Sequence, residues 1–573
     1  MAKRNQWPQR TIGKLFWEVA SSHPDQACFI TPDQYFTYRA MQDQVLKLAK
    51  GLRKMGVKKG DNVAVWFDNL PQLFISKYAL SMLGAVNVPI NSHFRTWETE
   101  HILKASGAVA LITMDAMGSR DYVGMLYECM PELANSDPQK FCSENMPNLK
   151  NVIVYSQGGR MYDGMLGWRQ VLESGQDMSD DSLQKALGDV LSSDIYEILY
   201  TSGTTGLPKG AIITHDMGLR VAEGDSWYRH KEHGTRNYSP LPLFHSWGEF
   251  DVAISALSRC GTVITSPSTA KHDLMLWMIQ KYRVNDMIGV PPVFMGMLDH
   301  PEFGKYDLSS LRSIGIGAAP PPIALFKACL EQLAPIVCQV FGHSECCGLV
   351  MSTVPYEAVD RVGVSIGREI DAGPAGMPEL RGSFCEYKVW DLTEDRELPE
   401  GEVGELVARG PVFTQGYYKN PEETAKSFRP GGWWRTGDIG FYNSDSRYFE
   451  MTGRAKELII VGGENVASRE VEIVIEELPE VRKSYVFKVP DKRLSEVPAA
   501  WIELKQGVDL TEQTVREHCR KRISGAKTPR YIKFISESEL PTTATGKAQK
   551  FKMSEVYTDE LGLAEVGEQF HMK

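Results

Sequence analysis

The segment at residues 200–210, YTSGTTGLPKG, has the composition of a loop that binds phosphate groups. Its glycines allow the backbone to approach an anion closely, and successive turn amides can form an anion-binding concavity. Its hydroxyl side chains add hydrogen-bond donors, and Lys209 adds a mobile positive charge. The segment is not a Walker P-loop, because Lys209 lies between Pro208 and Gly210 and not between a glycine and a serine or threonine. Taken alone, the pattern fits a phosphate cradle and a flexible Gly/Thr turn equally well.

Further segments of unusual composition follow along the chain. They are SIGIGAAPPP (313–322), FGHSE (341–345), WWRTGDIG (433–440), TGRAKELII (452–460) and PTTATGKAQK (541–550). Together with the loop at 200–210, this ordered set resembles the adenylate-forming superfamily of acyl-CoA synthetases, luciferases and peptide-synthetase adenylation domains. The resemblance extends from about residue 80 to residue 547, nearly the whole chain. An ordered set of motifs is far more specific than any single loop.

The resemblance implies an ATP site. Its loop at 200–210 would hold the β- and γ-phosphates, the small residues after 316 would lie against adenine, and Phe341 would stack on the base. Phe341 and Ser344 stand where the family usually has tyrosine and threonine, and both departures keep the stacking ring or the hydroxyl. The implied nucleotide-binding residues are Thr201, Ser202, Gly203, Thr204, Thr205, Gly206, Lys209, Gly317, Ala318, Ala319, Pro320, Phe341, Gly342, His343, Ser344, Asp438, Arg454 and Lys547.

The resemblance also implies a magnesium site and catalytic lysines. Glu345 and Thr201 would bind Mg²⁺, a hard cation that prefers oxygen ligands and phosphate partners. Lys547 would bridge phosphoryl oxygens while negative charge builds on them, and Lys209 would assist. Asp438, in a glycine-bounded turn, suits the ribose hydroxyls.

Two more roles concern the delivery of coenzyme A (CoA). By resemblance, Lys456 is the hinge about which a small domain rotates, and Gly462 and Gly463 then line the tunnel for the pantetheine arm. A surface lysine and a plain glycine turn are the ordinary alternatives for these positions.

The segment PLPLFHSWGEFD (240–251) resembles the family's acyl pocket. His245 would be catalytic and would lie near the carboxylate and thiol path, and Trp247 would narrow the pocket. Trp247 and the many apolar residues around 243–257 indicate a sizeable pocket, which favours a medium-chain, alicyclic or aromatic acid over acetate. Glu249 and Asp251 could face a cationic group of the substrate, although exposed helix carboxylates are the favoured interpretation.

These implications predict an acid–thiol ligase, an AMP-forming acyl-CoA synthetase of fatty acid metabolism. It would convert a carboxylic acid, ATP and CoA to acyl-CoA, AMP and pyrophosphate through an acyl-adenylate. One alternative is an adenylating enzyme with a carrier-protein or other acceptor; the 26 residues after Lys547 are too few for a fused carrier domain, which favours CoA. The other alternative is a non-catalytic binding protein that retains the fold.

Hydrophobic periodicity predicts the elements that position these motifs. Residues 35–69 fit a strand, an amphipathic helix and a second strand, and the alternation recurs, which predicts an α/β fold with a mostly parallel sheet. Residues 116–190 are predicted to be a long surface excursion. We therefore predict a large domain, 1–452, of parallel-sheet α/β subdomains plus a β-rich subdomain, and a small mobile α+β domain, 453–573, which carries the catalytic lysine.

Composition limits the other classes of function. The chain has 573 residues and a net charge of −10, which argues against binding nucleic acid or anionic membranes. No apolar stretch approaches the length of a membrane span and no signal-peptide core appears, so a cytoplasmic protein is predicted. Ten scattered cysteines predict buried reduced thiols, and HKEH at 230–233 has no evident third metal ligand. A homodimer is left open.

Overall fold

The computed structural model describes residues 7–201, 208–355, 365–454, 457–461, 464–491, 493–523, 525–542 and 548–563. The chain divides into two compact units. We call Met1–Glu386 with Arg409–Trp434 the large unit, and Tyr387–Ala408 with Arg435–Lys573 the small unit. The mobile domain predicted to begin at residue 453 stays a prediction.

The first sheet of the large unit is parallel except at one edge, where two strands form an antiparallel hairpin. Among the described residues its strand order is Lys209–Thr214, Ile195–Thr201, Val86–Pro89, Asn62–Trp66, Ala110–Met114, Asn151–Tyr155 and Leu166–Gly167. The hairpin at this edge flanks the predicted phosphate loop.

The second sheet of the large unit has a parallel centre and antiparallel strands at both ends. Within the described part of this unit the order is Ser365–Glu369, Gly348–Ser352, Ile336–His343, Ser313–Ile316, Asp286–Gly289, Arg236–Ser239, Thr262–Thr265, Ala27–Ile30 and Tyr35–Thr37. Short ribbons pair Ala116–Met117 with Arg120–Asp121, and Phe428–Arg429 with the start of Trp433–Asn443.

Helices connect most of these strands. They are Ile12–Ser22, Tyr38–Lys54, Pro71–Leu83, Thr96–Ser106, Tyr122–Cys129, Trp168–Ser174, Asp180–Gly188, His215–Tyr228, Ser246–Gly248, Ser255–Ser258, His272–Tyr282, Pro291–Leu298, Ile323–Gln332 and Pro421–Lys426. A π-helix occupies Glu249–Ile254, and 3-10 turns occupy Pro131–Asn135, Phe303–Lys305, Ser344–Cys346, Gly373–Ala375 and Pro378–Leu380.

Two helices show how the sequence specifies this packing. In Tyr38–Lys54 the buried residues recur at helical spacing, and the Thr37 hydroxyl caps the first turn by accepting from the Ala40 N–H. In Pro71–Leu83 every residue is buried, proline occupies the first turn, and Gly84 ends the helix at a φ of +68°. A helix that is buried on all sides lies between other layers, and here this places Lys77 in the interior.

The surface excursion predicted for residues 116–190 is wrong. Asn151–Tyr155 is an inner strand of the first sheet, with Val152, Ile153 and Val154 buried. Trp168 and Leu172 of the following helix are also buried. The polar and turn residues of this region belong to the loops between short core elements, and they masked a strand of only 5 residues.

The small unit contains two groups of strands. Its first group has the order Glu386–Trp390, Gly404–Arg409, Trp433–Asn443 and Tyr448–Arg454, and its second has the order Glu464–Val466, Ile459–Val461, Ser495–Leu504 and Val481–Asp491, with Tyr531–Ile535 pairing Ser495–Leu504. Helices Ser468–Glu476, Glu512–Arg522 and Lys550–Glu560 and the 3-10 turns Gly525–Lys527 and Glu537–Glu539 complete it. Val471, Ile475, Val515 and Cys519 fill the core between helices and sheet.

The mixed α/β architecture predicted from the sequence is confirmed, with parallel sheets in the large unit and an α+β arrangement near the C-terminus. Within the described part of the chain, no helix is long and apolar enough to cross a membrane. All ten cysteines are free, and eight of them are buried.

Candidate active site

The predicted phosphate loop joins the two strands of the edge hairpin. Ile195–Thr201 and Lys209–Thr214 pair in antiparallel register, with Thr201 opposite Lys209. The hairpin therefore brings a hydroxyl and an ammonium to the same end of two strands. Ser202, Gly203, Thr204, Thr205 and Gly206, which were predicted to contact phosphate, lie outside the described residues.

Tyr417 joins the predicted phosphate lysine to the predicted metal ligand. The ammonium of Lys209 forms an ion pair with Glu423 and lies 5.6 Å from the centre of the Tyr417 ring. The hydroxyl of Tyr417 donates a hydrogen bond of 3.0 Å to Oε1 of Glu345. Residues 209 and 345, far apart in sequence, thus share one neighbour.

The chain around Tyr417 is held against the hairpin by backbone hydrogen bonds. The Tyr418 N–H donates to the Gly210 carbonyl at 2.8 Å, and the Thr414 N–H donates to the Glu345 carbonyl at 2.7 Å. Asn420 caps the helix Pro421–Lys426 by accepting from the Glu423 N–H at 3.0 Å. Asn420 and the proline in the segment NPEET (420–424) indicate from the sequence that a helix starts here. Neither indicates that Glu423 contacts Lys209.

The predicted adenine loop begins directly after the strand Ser313–Ile316. Gly317 is buried, and a Cβ there would lie 2.7 Å from the Val340 carbonyl oxygen, so the position accepts only glycine without a shift. Ala318 has a φ of +65°, in the left-handed region that non-glycine residues rarely adopt. Ala319 is exposed and Pro320 is half-buried.

Phe341, Gly342 and His343 end the strand Ile336–His343, and Ser344 opens the 3-10 turn that carries Glu345. The rings of Phe341 and His343 meet edge to face at 5.0 Å, and His343 meets Trp434 in the same way at 5.1 Å. Such contacts orient aromatic rings. The structure therefore fixes Phe341 and His343 in one aromatic row beside Glu345.

Trp247, a predicted acyl-pocket residue, lies next to the predicted adenine loop. His245 is half-buried and precedes the helix Ser246–Gly248, and its Nδ1 accepts from the Trp247 N–H at 3.4 Å. The Trp247 ring reaches within 3.3 Å of where a Cβ on Gly317 would lie. The apolar residues between 243 and 257 that were taken to indicate a pocket are buried in the core, namely Leu243, Phe244, Phe250, Val252, Ala253, Ile254, Ala256 and Leu257. Trp247 is half-buried, and its place in an acyl pocket stays a prediction.

Glu249 and Asp251 are not exposed helix carboxylates, so that favoured interpretation is wrong. Both are completely buried in the π-helix Glu249–Ile254 that follows the histidine motif. π-Helical turns shift the register of side chains and often occur at functional sites. A cation from a distant segment compensates the Glu249 carboxylate, whereas the Asp251 carboxyl accepts a backbone N–H.

Glu249 belongs to a buried network around Lys77. The Lys77 ammonium contacts both Glu249 and Glu197, the latter at 2.9 Å. Asn87 donates to Glu197 at 2.6 Å, and the Tyr196 hydroxyl donates to Glu249 at 2.6 Å. Glu197 lies on the strand leading into the phosphate loop and Glu249 on the helix after His245, so this network couples the supports of the two predicted sites.

Burial and the neighbouring charges shift the pKa values of this network. Burial opposes the charge on Lys77, but the two carboxylates outweigh it and raise the pKa of the ammonium. Burial and the Glu249 charge raise the pKa of Glu197 to about 8. One lysine thus balances one of the two carboxylates, and Glu197 is largely protonated at neutral pH.

We expect Glu197→Gln to flatten the pH dependence of stability. Because the pKa of Glu197 rises from 4.5 in the unfolded chain to about 8 in the folded one, its stabilising contribution is complete below about pH 4.5 and is lost as pH rises through 8. The loss can reach about 1.4 kcal/mol per pH unit. The thermal unfolding midpoint, measured at pH 5, 6, 7 and 8, should therefore fall less in the variant than in the wild type.

Glu144→Gln is the matched control, because Glu144 is an exposed glutamate of the same unit. It should leave the wild-type pH profile unchanged. Identical profiles for Glu197→Gln and wild type would contradict the raised pKa of Glu197.

Asp251 belongs to a second buried charge cluster. Its Oδ2 accepts from the Leu349 N–H at 3.3 Å, and a Cβ on Gly348 would lie 2.1 Å from that oxygen. Lys231 donates to the Asp251 carbonyl at 2.8 Å and pairs with Asp225 at 2.6 Å. Burial raises the pKa of the Asp251 carboxyl well above its usual range. The π-helix is thereby tied to the strand Gly348–Ser352, which follows the turn that carries Glu345.

In the small unit, the predicted nucleotide-binding residues Asp438 and Arg454 are neighbours. Asp438 and Arg454 pair across antiparallel strands, and the Arg454 Nε lies 3.1 Å from the Asp438 Oδ1. Asp438 is fully buried, whereas the Arg454 side chain is 48% exposed. The roles of both residues in nucleotide binding stay predictions.

The other predicted residues of the small unit, Lys456, Gly462, Gly463 and Lys547, lie outside the described residues. Lys550, three residues after Lys547, is held by ion pairs to Glu472 at 2.7 Å and Glu457 at 3.5 Å. These ion pairs hold the Lys550 side chain against other residues of the small unit.

Comparison with known families agrees with this geometry. The model of the AMP-binding enzyme family matches residues 16–418, and the model of the AMP-binding enzyme C-terminal domain matches residues 470–547. The chain belongs to the AMP-binding enzyme family. It is therefore a member of the adenylate-forming superfamily, as its ordered motifs predicted.

Curated relatives of this adenylate-forming protein cover nearly its whole length. The chain is 31% identical to "Putative acyl-CoA synthetase YngI" of Bacillus subtilis (strain 168), over 95% of this chain and 96% of that protein. It is 28% identical to "Medium-chain acyl-CoA ligase ACSF2, mitochondrial" of Danio rerio, over 96% of this chain and 89% of that protein.

A solved structure shows the same fold. The anthranilate CoA ligase AuaEII, crystallised with anthranoyl-AMP, superposes with a TM-score of 0.80 at 24% identity, over 97% of this chain and 98% of that one. Adenylate-forming enzymes use ATP, and Lys209 and Glu345 lie on two of the segments that carry the resemblance, 200–210 and 341–345.

Proposed function

We propose that the protein is an AMP-forming acyl-CoA ligase that activates a carboxylic acid with ATP and transfers the acyl group to CoA. The observation that carries the proposal is Tyr417, which contacts the Lys209 ammonium with its ring and the Glu345 carboxylate with its hydroxyl. An ammonium and a carboxylate held together in this way suit a magnesium–triphosphate substrate. Family membership and the named relatives support the same reaction.

In the first half-reaction a substrate carboxylate oxygen attacks the α-phosphorus, the bond to the leaving pyrophosphate breaks, and an acyl-adenylate forms. Lys209 would hold the departing phosphates and Lys547 would neutralise charge on the phosphoryl oxygens. In the second half-reaction the CoA sulfur attacks the acyl carbon, the thiol proton is lost, and AMP leaves.

Mg²⁺ would be held by Glu345 and Thr201, whose carboxylate and hydroxyl oxygens are the hard donors that this ion prefers. When bound, it supplies charge neutralisation for the triphosphate. Tyr417 positions Glu345 for this role by donating to one of its oxygens.

The substrate class we propose is a medium-chain, alicyclic or aromatic acid. Trp247 supports this class, because its ring lies beside Gly317 at the junction of the proposed acyl and adenine sites. The name of the Danio rerio relative supports it as well. The test is a panel of acetate, straight-chain acids of increasing length, cyclohexanecarboxylate and benzoate, with ATP and with or without CoA.

We expect acid-dependent AMP and pyrophosphate, and an acyl-CoA thioester only when CoA is present. ADP in place of AMP would overturn the proposal. Acyl-adenylate that forms but does not react with CoA would favour the alternative of a carrier-protein or other acceptor. No turnover with any acid, in protein that binds ATP, would favour a non-catalytic binding protein.

The remaining assignments are also proposals. A mobile domain over 453–573 would rotate about Lys456 and bring Gly462 and Gly463 to the CoA path, whereas residues 1–452 would hold ATP and the acid. A role in fatty acid metabolism, a cytoplasmic location and a homodimer rest on the sequence alone.

We expect Tyr417→Phe to weaken the use of magnesium. Burial and the Glu345 charge raise the pKa of Tyr417, so its hydroxyl remains a donor at neutral pH. A hydrogen bond to a charged group contributes about 1.5–3 kcal/mol, so its loss should raise the apparent KM for Mg·ATP about 10-fold or more. Initial rates at varied Mg²⁺ and ATP measure the effect.

Tyr418→Phe is the matched control, because the Tyr418 hydroxyl accepts from Asn62 at 2.9 Å and not from the Glu345 region. It should retain the wild-type dependence on magnesium. Equal magnesium profiles for both variants would contradict the positioning role of Tyr417.

A further inference from the structure

Three side chains that the adenylation chemistry does not use converge on the surface of the large unit. His23 follows the helix Ile12–Ser22, His233 lies in the turn after His215–Tyr228, and Cys260 lies in the turn after Ser255–Ser258. One ligand atom from each lies within 4.8 Å of the other two. We propose that His23, His233 and Cys260 form a binding site for a borderline-soft divalent cation, with Zn²⁺ as its natural occupant.

The chemistry of the donor set selects this class of ion. Two imidazole nitrogens and one thiolate match zinc, which takes nitrogen and sulfur ligands, and not magnesium, which takes oxygen. A tetrahedral zinc ion would draw the three ligand atoms to about 3.4–3.6 Å from one another, a closure of about 1 Å from the observed limit. Three protein ligands leave the fourth position to water, as in open zinc sites.

The backbone that carries the ligands is already fixed. Gln26, whose N–H donates to the His23 carbonyl at 3.2 Å, donates through its side-chain amide to the Cys260 carbonyl. The Gly234 N–H, directly after His233, donates to the Arg259 carbonyl at 2.7 Å. The segments that carry His23 and His233 are therefore each joined to the Cys260 segment by a hydrogen bond within three residues of a ligand.

Two local features favour metal binding over a purely structural arrangement. Cys260 has a φ of +48°, a left-handed conformation that costs energy for a non-glycine residue and is concentrated at functional sites. The Ser22 hydroxyl, which donates to the Glu18 carbonyl at 2.7 Å, also lies 2.9 Å from Nδ1 of His23. In the tautomer with the proton on Nδ1, Ser22 accepts that proton and Nε2 of His23 offers its lone pair to a metal.

The sequence motif HKEH pointed to this region, but its pairing of histidines was misleading. His233 joins the cluster and His230 does not. The missing ligands come from positions 23 and 260, which no local spacing reveals. The ring centres of His23 and His233 lie 5.1 Å apart and the rings are tilted by 52°, so the two rings do not stack in parallel.

The test uses the full-length protein after removal of metal by chelation and dialysis. Co²⁺ replaces Zn²⁺ as a spectroscopic probe, because a cobalt–thiolate bond gives a sulfur-to-metal charge-transfer band in the near ultraviolet. We expect one equivalent of Co²⁺ to produce this band and Zn²⁺ to displace it. Cys260→Ser should abolish the band, and His233→Ala should weaken Zn²⁺ binding by about 10–100-fold or more, as measured by calorimetry.

His230→Ala and Cys142→Ser are the matched controls, since Cys142 is the exposed cysteine and His230 the unused histidine of the motif. Both should keep the wild-type cobalt spectrum. Zn²⁺ should also raise the thermal unfolding midpoint of the wild type but not of Cys260→Ser, because the ion binds the folded state. Absence of the thiolate band in wild type, or an unchanged band in Cys260→Ser, would overturn the site, whether or not the ligase proposal holds.

Discussion

Replacing Lys547 with alanine is expected to lower the rate of acyl-adenylate formation about 10²–10³-fold. That range is typical for the loss of one group that stabilises developing transition-state charge. As carboxylate attacks the α-phosphorus, charge builds on the phosphoryl oxygens, and an ammonium bridging them binds the transition state more tightly than the ground state. The measurement is pyrophosphate release in a single turnover with ATP and the best acid of the panel.

The second half-reaction separates this role from a general defect. Synthetic acyl-adenylate supplied with CoA should be converted by Lys547→Ala at a rate near that of the wild type, because no phosphorus–oxygen bond breaks in that step. Lys552→Ala is the matched control, since Lys552 is an exposed lysine on the helix that follows. Lys550 is unsuitable, because its ion pairs to Glu472 and Glu457 belong to the core of the small unit. Normal pyrophosphate release by Lys547→Ala would show that the assignment is wrong.

The motifs of this chain could be predicted because each is a contiguous run whose residue types already limit its chemistry. The strand before the phosphate loop and the glycine at 317 follow from apolar runs and from turn residues that stand next to them in sequence. The alternation that predicted the α/β class works in the same way, since helix and strand periodicities are local properties.

Contacts between residues that are far apart in sequence could not be predicted in this way. Tyr417 meets Glu345, and Glu423 meets Lys209 across more than 200 residues, only because the segment 414–424 hydrogen-bonds along the hairpin strand. The residue types of Tyr417 and Glu423 do not indicate which residues they contact. The same limit explains Cys260, whose metal-binding partners lie on two other segments.

The carboxylates at 249 and 251 show a second limit. A polar residue on a helix is usually exposed, and this general tendency gave the wrong result for both residues. The Lys77 ammonium compensates the buried Glu249 charge, whereas burial raises the pKa of the Asp251 carboxyl. Compensation is a property of pairs, so the sequence of one helix does not contain it. The π-helix compounds the difficulty, since its register departs from the 3.6-residue period.

Lys77→Met is expected to be the most destabilising single change in the large unit among those considered, lowering the free energy of unfolding by about 3–5 kcal/mol. The lysine is completely buried and is the shared cation of Glu197 and Glu249. Methionine fills a similar volume, so the cost arises from leaving a carboxylate charge buried without its partner. Urea-induced unfolding followed by tryptophan fluorescence at pH 7 measures it.

The double variant Lys77→Met/Glu249→Gln distinguishes lost charge compensation from lost packing. With Glu249 neutral and Glu197 protonated, the site carries no buried charge, so the double variant should recover a substantial part of the stability lost in Lys77→Met. Lys47→Met is the surface control, because Lys47 pairs with Asp43 on an exposed helix face at 2.7 Å and should cost no more than about 0.5 kcal/mol. If the double variant were as unstable as Lys77→Met alone, packing and not charge would account for the loss. Recovery would instead show that Lys77 is retained in the interior to compensate the carboxylates that link the phosphate-loop strand to the helix after His245.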